Sequence, residues 1–258
     1  MTSTPETGHA KNVANLSKLN QIIVSFGGTY NPSNSAITLT SLQSLYSNAN
    51  AQLTAFNTAF ANWKNATNNR EIAFEPLGKL STQILGALQS LPLPKQTIDD
   101  FEVLVKKFRS RSKKASKGQP LAGNAGQEEN VAALATDPAG PKTISTSQQS
   151  FDNKLQHFEK MLLILQGIPS YAPNETALQV ANLQAQQAAL HTLNDAANTS
   201  YSALRQARTD RNAFFYGADT GLLDLIKNAK AYIKSIYGAS SPQFHSANEL
   251  KFVKVVSK

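Results

Sequence analysis

The sequence predicts an all-α protein, an elongated helical bundle built from two tandem pseudo-equivalent helical repeats with long antiparallel spine helices. Two observations carry that prediction. The first is a seam. Leu39, Leu42, Tyr46, Ala49, Leu53, Phe56, Phe60 and Trp63 follow one another by alternating steps of three and four, the spacing of a coiled-coil face. With Ser33 as N-cap and a break near Pro76, the helix has about 40 residues and a length of roughly 60 Å. The second is duplication. Aligned without a gap to the residues 141 positions later, the stretch 30–74 is identical in eleven of 45 columns. Tyr30/Tyr171, Pro32/Pro173, Leu42/Leu183, Arg70/Arg211 and Phe74/Phe215 are among them. Self-similarity at a fixed offset marks a repeated structural unit.

The elements follow in order. Residues 1–11 read as a disordered N-terminus. A first helix begins near Asn12 and gathers Leu16, Leu19, Ile22, Ile23 and Phe26 on one face until Gly27 and Gly28 stop it. The twin of that helix, 153–166, carries Leu155, Phe158, Leu162 and Leu165 and stops at Gly167-Ile168-Pro169. Each then enters its spine through a Tyr-x-Pro turn. Proline keeps the residue before it extended, and Ser33 or Asn174 is placed to cap the long helix. The tyrosine rings are expected to pack over the adjoining helix end, large surfaces with a polar tip.

The second spine, 175–215, keeps Val180, Leu183, Leu190, Ala197, Tyr201 and Leu204 at seam positions. Gln187 and Asn194 stand where the first spine has Tyr46 and Leu53. Polar residues there either fix register against a partner or mark a helix rotated so that Leu193 points inward, and the rotation is the simpler reading. Both spines end in a charged cluster, Asn69-Arg70-Glu71 and Asp210-Arg211-Asn212, expected to be solvent-accessible salt bridges.

Shorter return helices follow at 77–91 and 222–237, the first lined by Leu80, Ile84, Leu88 and Leu91. Pro92-Leu93-Pro94 stops one and the stretch from Gly238 to Pro242 the other. Ile98, Phe101, Val105 and Phe108 then space an amphipathic helix over 98–112, whereas the corresponding 250–256 reads as strand or helix. The domain reading is therefore a first repeat at 12–115, a flexible Gly-, Pro- and Ala-rich linker at 116–144, and a second repeat at 145–258. The two copies pack along their spines into one bundle, or stand as separate domains.

The chain of 258 residues has no cysteine, which excludes disulfides, thiolate metal sites and thiol nucleophiles. No stretch has the form of a secretory signal, and the longest strongly apolar run, residues 161–165, is far short of the roughly 20 residues of a membrane span. A cytoplasmic protein without a transmembrane segment is expected, in which the Asn-x-Ser/Thr triplets carry no glycan.

The net charge of +8 is concentrated in one segment. Lys106, Lys107, Arg109, Arg111, Lys113, Lys114 and Lys117 include no acid among them, and without them the chain is nearly neutral. Such a strip suits sequence-independent binding of nucleic acid or another polyanion, or an anionic surface. It lacks interleaved aromatics for base stacking, and it equally suits a solvated helix end leading into the linker. Glu128, Glu129 and Asp137 in the linker are placed to fold back on it.

Catalysis needs convergent polar groups, and the pattern does not supply them. The four histidines are scattered, none has an i,i+4 partner, carboxylates are nearly missing from the spines, and Gly27-Gly28 does not match a phosphate-binding loop. No catalytic residue, cofactor or metal is expected. The Ala-, Asn- and Gln-rich spines, with Lys64 the lone charge between Asn34 and Asn69, point instead to protein partners or self-association through the long helices. The expected function is that of a non-enzymatic structural or interaction protein, scaffold- or adaptor-like, with polyanion binding as the alternative. The architecture by itself carries no function.

Overall fold

In the computed structural model, which describes residues 8–108 and 150–255, the chain enters its first long helix through a turn built on Tyr30. The ring is buried, and its hydroxyl donates to the Ile37 carbonyl at 2.7 Å. Asn34, not Ser33, does the capping: its side chain accepts from the Ala36 N–H and starts a single 3₁₀ turn, Ser35–Ile37. Thr38 then accepts from the Ser41 N–H and starts the α-helix. The interposed turn explains the difference, because it moves the first free N–H groups beyond the reach of Ser33.

The second entry has the same construction. Tyr171 is buried, its hydroxyl donates to the Leu178 carbonyl at 2.9 Å, and a 3₁₀ turn, Thr176–Leu178, precedes the helix. Glu175 rather than Asn174 precedes that turn. Burial pushes both phenols up to about 12, with Tyr232 adding to it at Tyr30 and Glu175 at Tyr171.

Every regular element among the described residues is helical, and there is no strand. They are α1 His9–Ser25, α2 Leu39–Phe74, α3 Leu77–Gln89, α4 Lys95–Phe108, α5 Phe151–Gln166, α6 Val180–Tyr216, α7 Leu222–Tyr237 and α8 Pro242–Glu249. The long helices α2 and α6 have 36 and 37 residues. No helix among the described residues is long and apolar enough to cross a membrane.

Two boundaries differ from expectation. Helix α1 begins at His9, inside the stretch read as disordered, because the His9 ring stands edge-on to Phe215 at 5.1 Å. Helix α8 begins on the last residue of the stretch read as a stop and runs through 243–249, where no element was expected. Ser241 caps it by accepting from the Phe244 N–H, and Pro242 supplies a fixed φ at the first turn. Beyond it, residues 250–255 belong to neither helix nor strand. The stop itself is real: Gly238, at φ 87° and ψ 158°, takes a conformation reserved for glycine and ends α7. The expected linker at 116–144, with Glu128, Glu129 and Asp137, lies outside the described residues.

The chain divides into two compact units. One comprises the described residues of Met1–Asn69 and Asp195–Lys258, the other Arg70–Asn194. Each therefore draws on both the 12–115 and the 145–258 stretches. In the first unit, Val13, Leu16, Leu19 and Ile23 of α1 are buried with Leu42, Leu45 and Ala49 of α2, Phe215 of α6 and Leu222, Ile226 and Ile233 of α7. In the second, Leu155, Phe158, Met161 and Leu165 of α5 are buried with Ile84 and Leu88 of α3, Phe101 and Val105 of α4, and Leu183 and Leu190 of α6. Each fully buried Leu, Ile or Phe contributes about 1.5–3 kcal/mol. Within each unit this cluster, rather than the seam, supplies most of the buried apolar surface. Along the seam of α2 burial stops after Ala49: Leu53, Phe56 and Trp63 are half-buried and Phe60 is exposed.

Candidate functional site

The partly covered half of the seam lies in the first unit, where α2 faces α6. The facing positions are small: Ala55, Thr58 and Ala59 on α2, Ala196, Thr199 and Ala203 on α6. Side chains of this size do not span the gap between two helices, and they leave an apolar groove of about 650 Å³. The larger residues of the two helices form a ladder of their own, outside the lining of the groove. Phe56 stacks on Phe60 at 6.4 Å, Phe60 meets Trp63 at 5.9 Å, and Trp63 reaches Tyr201 of α6 at 6.2 Å. Phe60 and Tyr201 remain 42% and 48% exposed. Lys64 lies 4.6 Å from the Trp63 ring, its ammonium over the face where the ring quadrupole attracts it.

The other end of this ladder is closed by Arg211. Its guanidinium stacks on Phe56 at 4.1 Å and donates through Nε and Nη2 to Asn212 Oδ1. Arg211 is only 7% exposed, so the reading of this cluster as a solvent-accessible salt bridge is overturned. A planar, weakly hydrated guanidinium tolerates an aromatic face where an ammonium would not. Burial lowers its pKa, with Arg208 adding to that and Tyr216 opposing. Arg211 and burial together also hold His9 below its ordinary value of 6.5, burial first.

Its sequence counterpart, Arg70, belongs to the second unit and has different partners. Its guanidinium lies 4.0 Å over Phe151, and Nη1 donates to Asn194 Oδ1 at 3.2 Å. Asn194 is 3% exposed and passes the contact on, Nδ2 donating to Asp152 Oδ1 at 2.7 Å. Asn194 therefore faces inward while Leu193 is half-buried, and α6 is not rotated away from its seam. The polar residue is satisfied on both sides, which removes the desolvation penalty that favoured rotation. Phe74 closes the node edge-on to Phe151 at 5.0 Å.

Of the basic strip, Lys106 and Lys107 lie within the described residues, on the last turn of α4. Lys106 is exposed and pairs with Glu102 at 3.0 Å, one helical turn back. Lys107 is half-buried and acts on His157, whose pKa is lowered by burial first and then by Lys107 and Lys160. Arg109, Arg111, Lys113, Lys114 and Lys117 lie outside the described residues. Among the described residues, no three His, Asp or Glu side chains converge where a metal ion would bind. What the sequence did not single out is the groove. Its signal is the run Ala55, Thr58 and Ala59 at helical spacing in α2, roughly 120° around the helix from Phe56 and Phe60, with Ala196, Thr199 and Ala203 facing it from α6.

No protein-family model, curated protein or solved structure matches the chain.

Proposed function

We propose that this chain is a non-enzymatic structural or protein-interaction protein whose partner docks an apolar helix into the groove between α2 and α6. The observation that carries the reading is the groove itself, walled by small residues of both long helices, in a unit that also leaves the Phe60 and Tyr201 rings exposed. Small walls admit the ridge of another helix, and exposed aromatics are the residues that interfaces concentrate. A second copy of the chain is the partner considered first, since its own α2 and α6 carry Ala-rich faces of suitable size.

The two halves act in this reading as pseudo-equivalent repeats with antiparallel spines. Three features support it: the matched Tyr30 and Tyr171 hydrogen bonds, the same three, three, four spacing of buried residues in α1 and α5, and the order of contacts along the ladder. Phe56 meets Arg211 while Trp63 meets Tyr201, so ascending α2 descends α6.

Light scattering at tens of micromolar tests the proposal. A mass above one chain is expected, returning to one chain in Ala55→Lys/Ala196→Lys, two exposed residues of the groove wall, with unchanged helical circular dichroism. A single-chain mass for the parent protein, or association that ignores both substitutions, overturns it.

A further inference from the structure

Residues 250–255 are not merely the run-out of α8. They lie in a cradle of polar side chains that hydrogen-bonds their backbone. Asn12 of α1 engages Val253 twice, Nδ2 donating to the carbonyl at 2.8 Å and Oδ1 accepting from the N–H at 3.1 Å. One turn on, Asn15 Nδ2 donates to the Lys251 carbonyl at 2.7 Å. Tyr216 of α6 accepts from the Val255 N–H at 3.0 Å, and Lys230 of α7 donates to the Leu250 carbonyl.

This is the hydrogen-bond set of a strand added to a sheet edge, supplied here by helix side chains. Asn12 and Asn15 are both buried, at positions of α1 that otherwise face the core. A helix that spends two core positions on amides does so for a ligand that amides recognise. The side chains of the segment add to this: Leu250 and Phe252 are half-buried, with Lys230 at 5.0 Å from the Phe252 ring, while Lys251, Val253 and Lys254 are exposed, Lys254 with its ammonium 5.7 Å from the Tyr216 ring.

We propose that the cradle of Asn12, Asn15, Tyr216 and Lys230 is a binding site for an extended peptide segment, and that residues 250–255 of a second copy exchange with its own occupant. Because recognition is through backbone groups, the same segment from another copy makes the same hydrogen bonds, and the path of the chain at Glu249–Leu250 selects which copy supplies it. Six extended residues reach about 20 Å, enough to cross to a neighbouring copy brought up to this face. Burial holds Lys230 at about 8, with Lys251 adding to it. At neutral pH the docked segment therefore confines a charged lysine, which favours release and recapture.

The site lies apart from the α2–α6 groove, and the two proposals fail separately. The chain has no cysteine, so single-cysteine variants label cleanly. A donor dye at Val253→Cys in one preparation and an acceptor at Lys18→Cys in another, both exposed positions, are mixed at tens of micromolar. Energy transfer is expected to appear on incubation, to persist in the Ala55→Lys/Ala196→Lys background, and to fall at least tenfold when the acceptor copy carries Asn12→Ala/Asn15→Ala.

Should that double variant lose its fold, unlabelled synthetic peptide 249–256 added to the parent mixture replaces it and is expected to suppress the transfer. Absence of transfer overturns the proposal, and so does transfer indifferent to whichever of these two competitors is used.

Discussion

The turn at Tyr30 and the turn at Tyr171 are built alike, whereas Arg70 and Arg211, which occupy matching places in the same alignment, are not. In each turn a buried phenol donates to the carbonyl seven residues on and a 3₁₀ turn leads into the long helix. Both arginines lie on an aromatic ring. One of them completes a polar chain to Asn194 and Asp152, while the other donates only to its neighbour Asn212 among the hydrogen bonds it makes. The difference teaches where similarity survives. A turn closes its phenol hydrogen bond within ten residues, so that bond is copied whole. A guanidinium depends on whatever another helix brings to it, and there the sequences differ: Asn194 stands where the other stretch has Leu53.

The largest expected effect breaks the arginine pair. Arg70→Met leaves buried Asn194 with an unpaired acceptor and Asp152 without its cation, a loss of about 1–3 kcal/mol. Arg211→Met keeps a flexible side chain over Phe56 and removes a charge whose burial is costly, so its effect is expected within about 1 kcal/mol of zero. Urea denaturation of both variants checks this, and equal losses would show that the two sites are energetically the same after all.

The next effect sharpens the turn pair. Tyr30→Phe and Tyr171→Phe each remove one hydrogen bond and are expected to cost about 1 kcal/mol, equally. A Tyr171→Phe variant that melts like the parent while Tyr30→Phe does not would break the equivalence.

The smallest effect is that of pH. His9 in one unit and His157 in the other are held below 6.5 in the folded chain. The unfolded chain therefore takes up protons first, and stability falls as pH drops from 6.5 toward the folded values, then levels off. Melting temperatures between pH 7.5 and 5.5 are expected to decline in the parent and to flatten in His9→Leu/His157→Leu.

Much of this fold was legible because it is periodic. The three-four steps of the seam give a long α2, and the apolar spacing with Gly238 at its end gives α7 over 222–237 as observed. Matched Tyr-x-Pro turns were visible for the same reason. Helix α8 was missed although Ser241-Pro242 is a cap followed by a first-turn proline, because Gly238 and Pro242 together read as a break. Burial along the seam was not legible, since periodicity states which face is apolar and not how far a neighbour covers it. Arg211 and Asn194 were misjudged for one physical reason. A polar side chain is assigned to solvent unless its partner is known, and Phe56 and Asp152 are distant in sequence.

Asn12 meets Val253 with a donor at one end of its amide and an acceptor at the other. Carboxylate and hydroxyl groups lack that fixed order. With Asn15 directed to Lys251, two residues earlier, the face of α1 is matched to a chain running opposite to the helix. The cradle thus discriminates by polarity: a peptide of identical composition laid down in the reverse direction presents its carbonyls where N–H groups are wanted. Directionality of this kind costs no side-chain specificity, and it leaves the exposed residues of the segment free to vary.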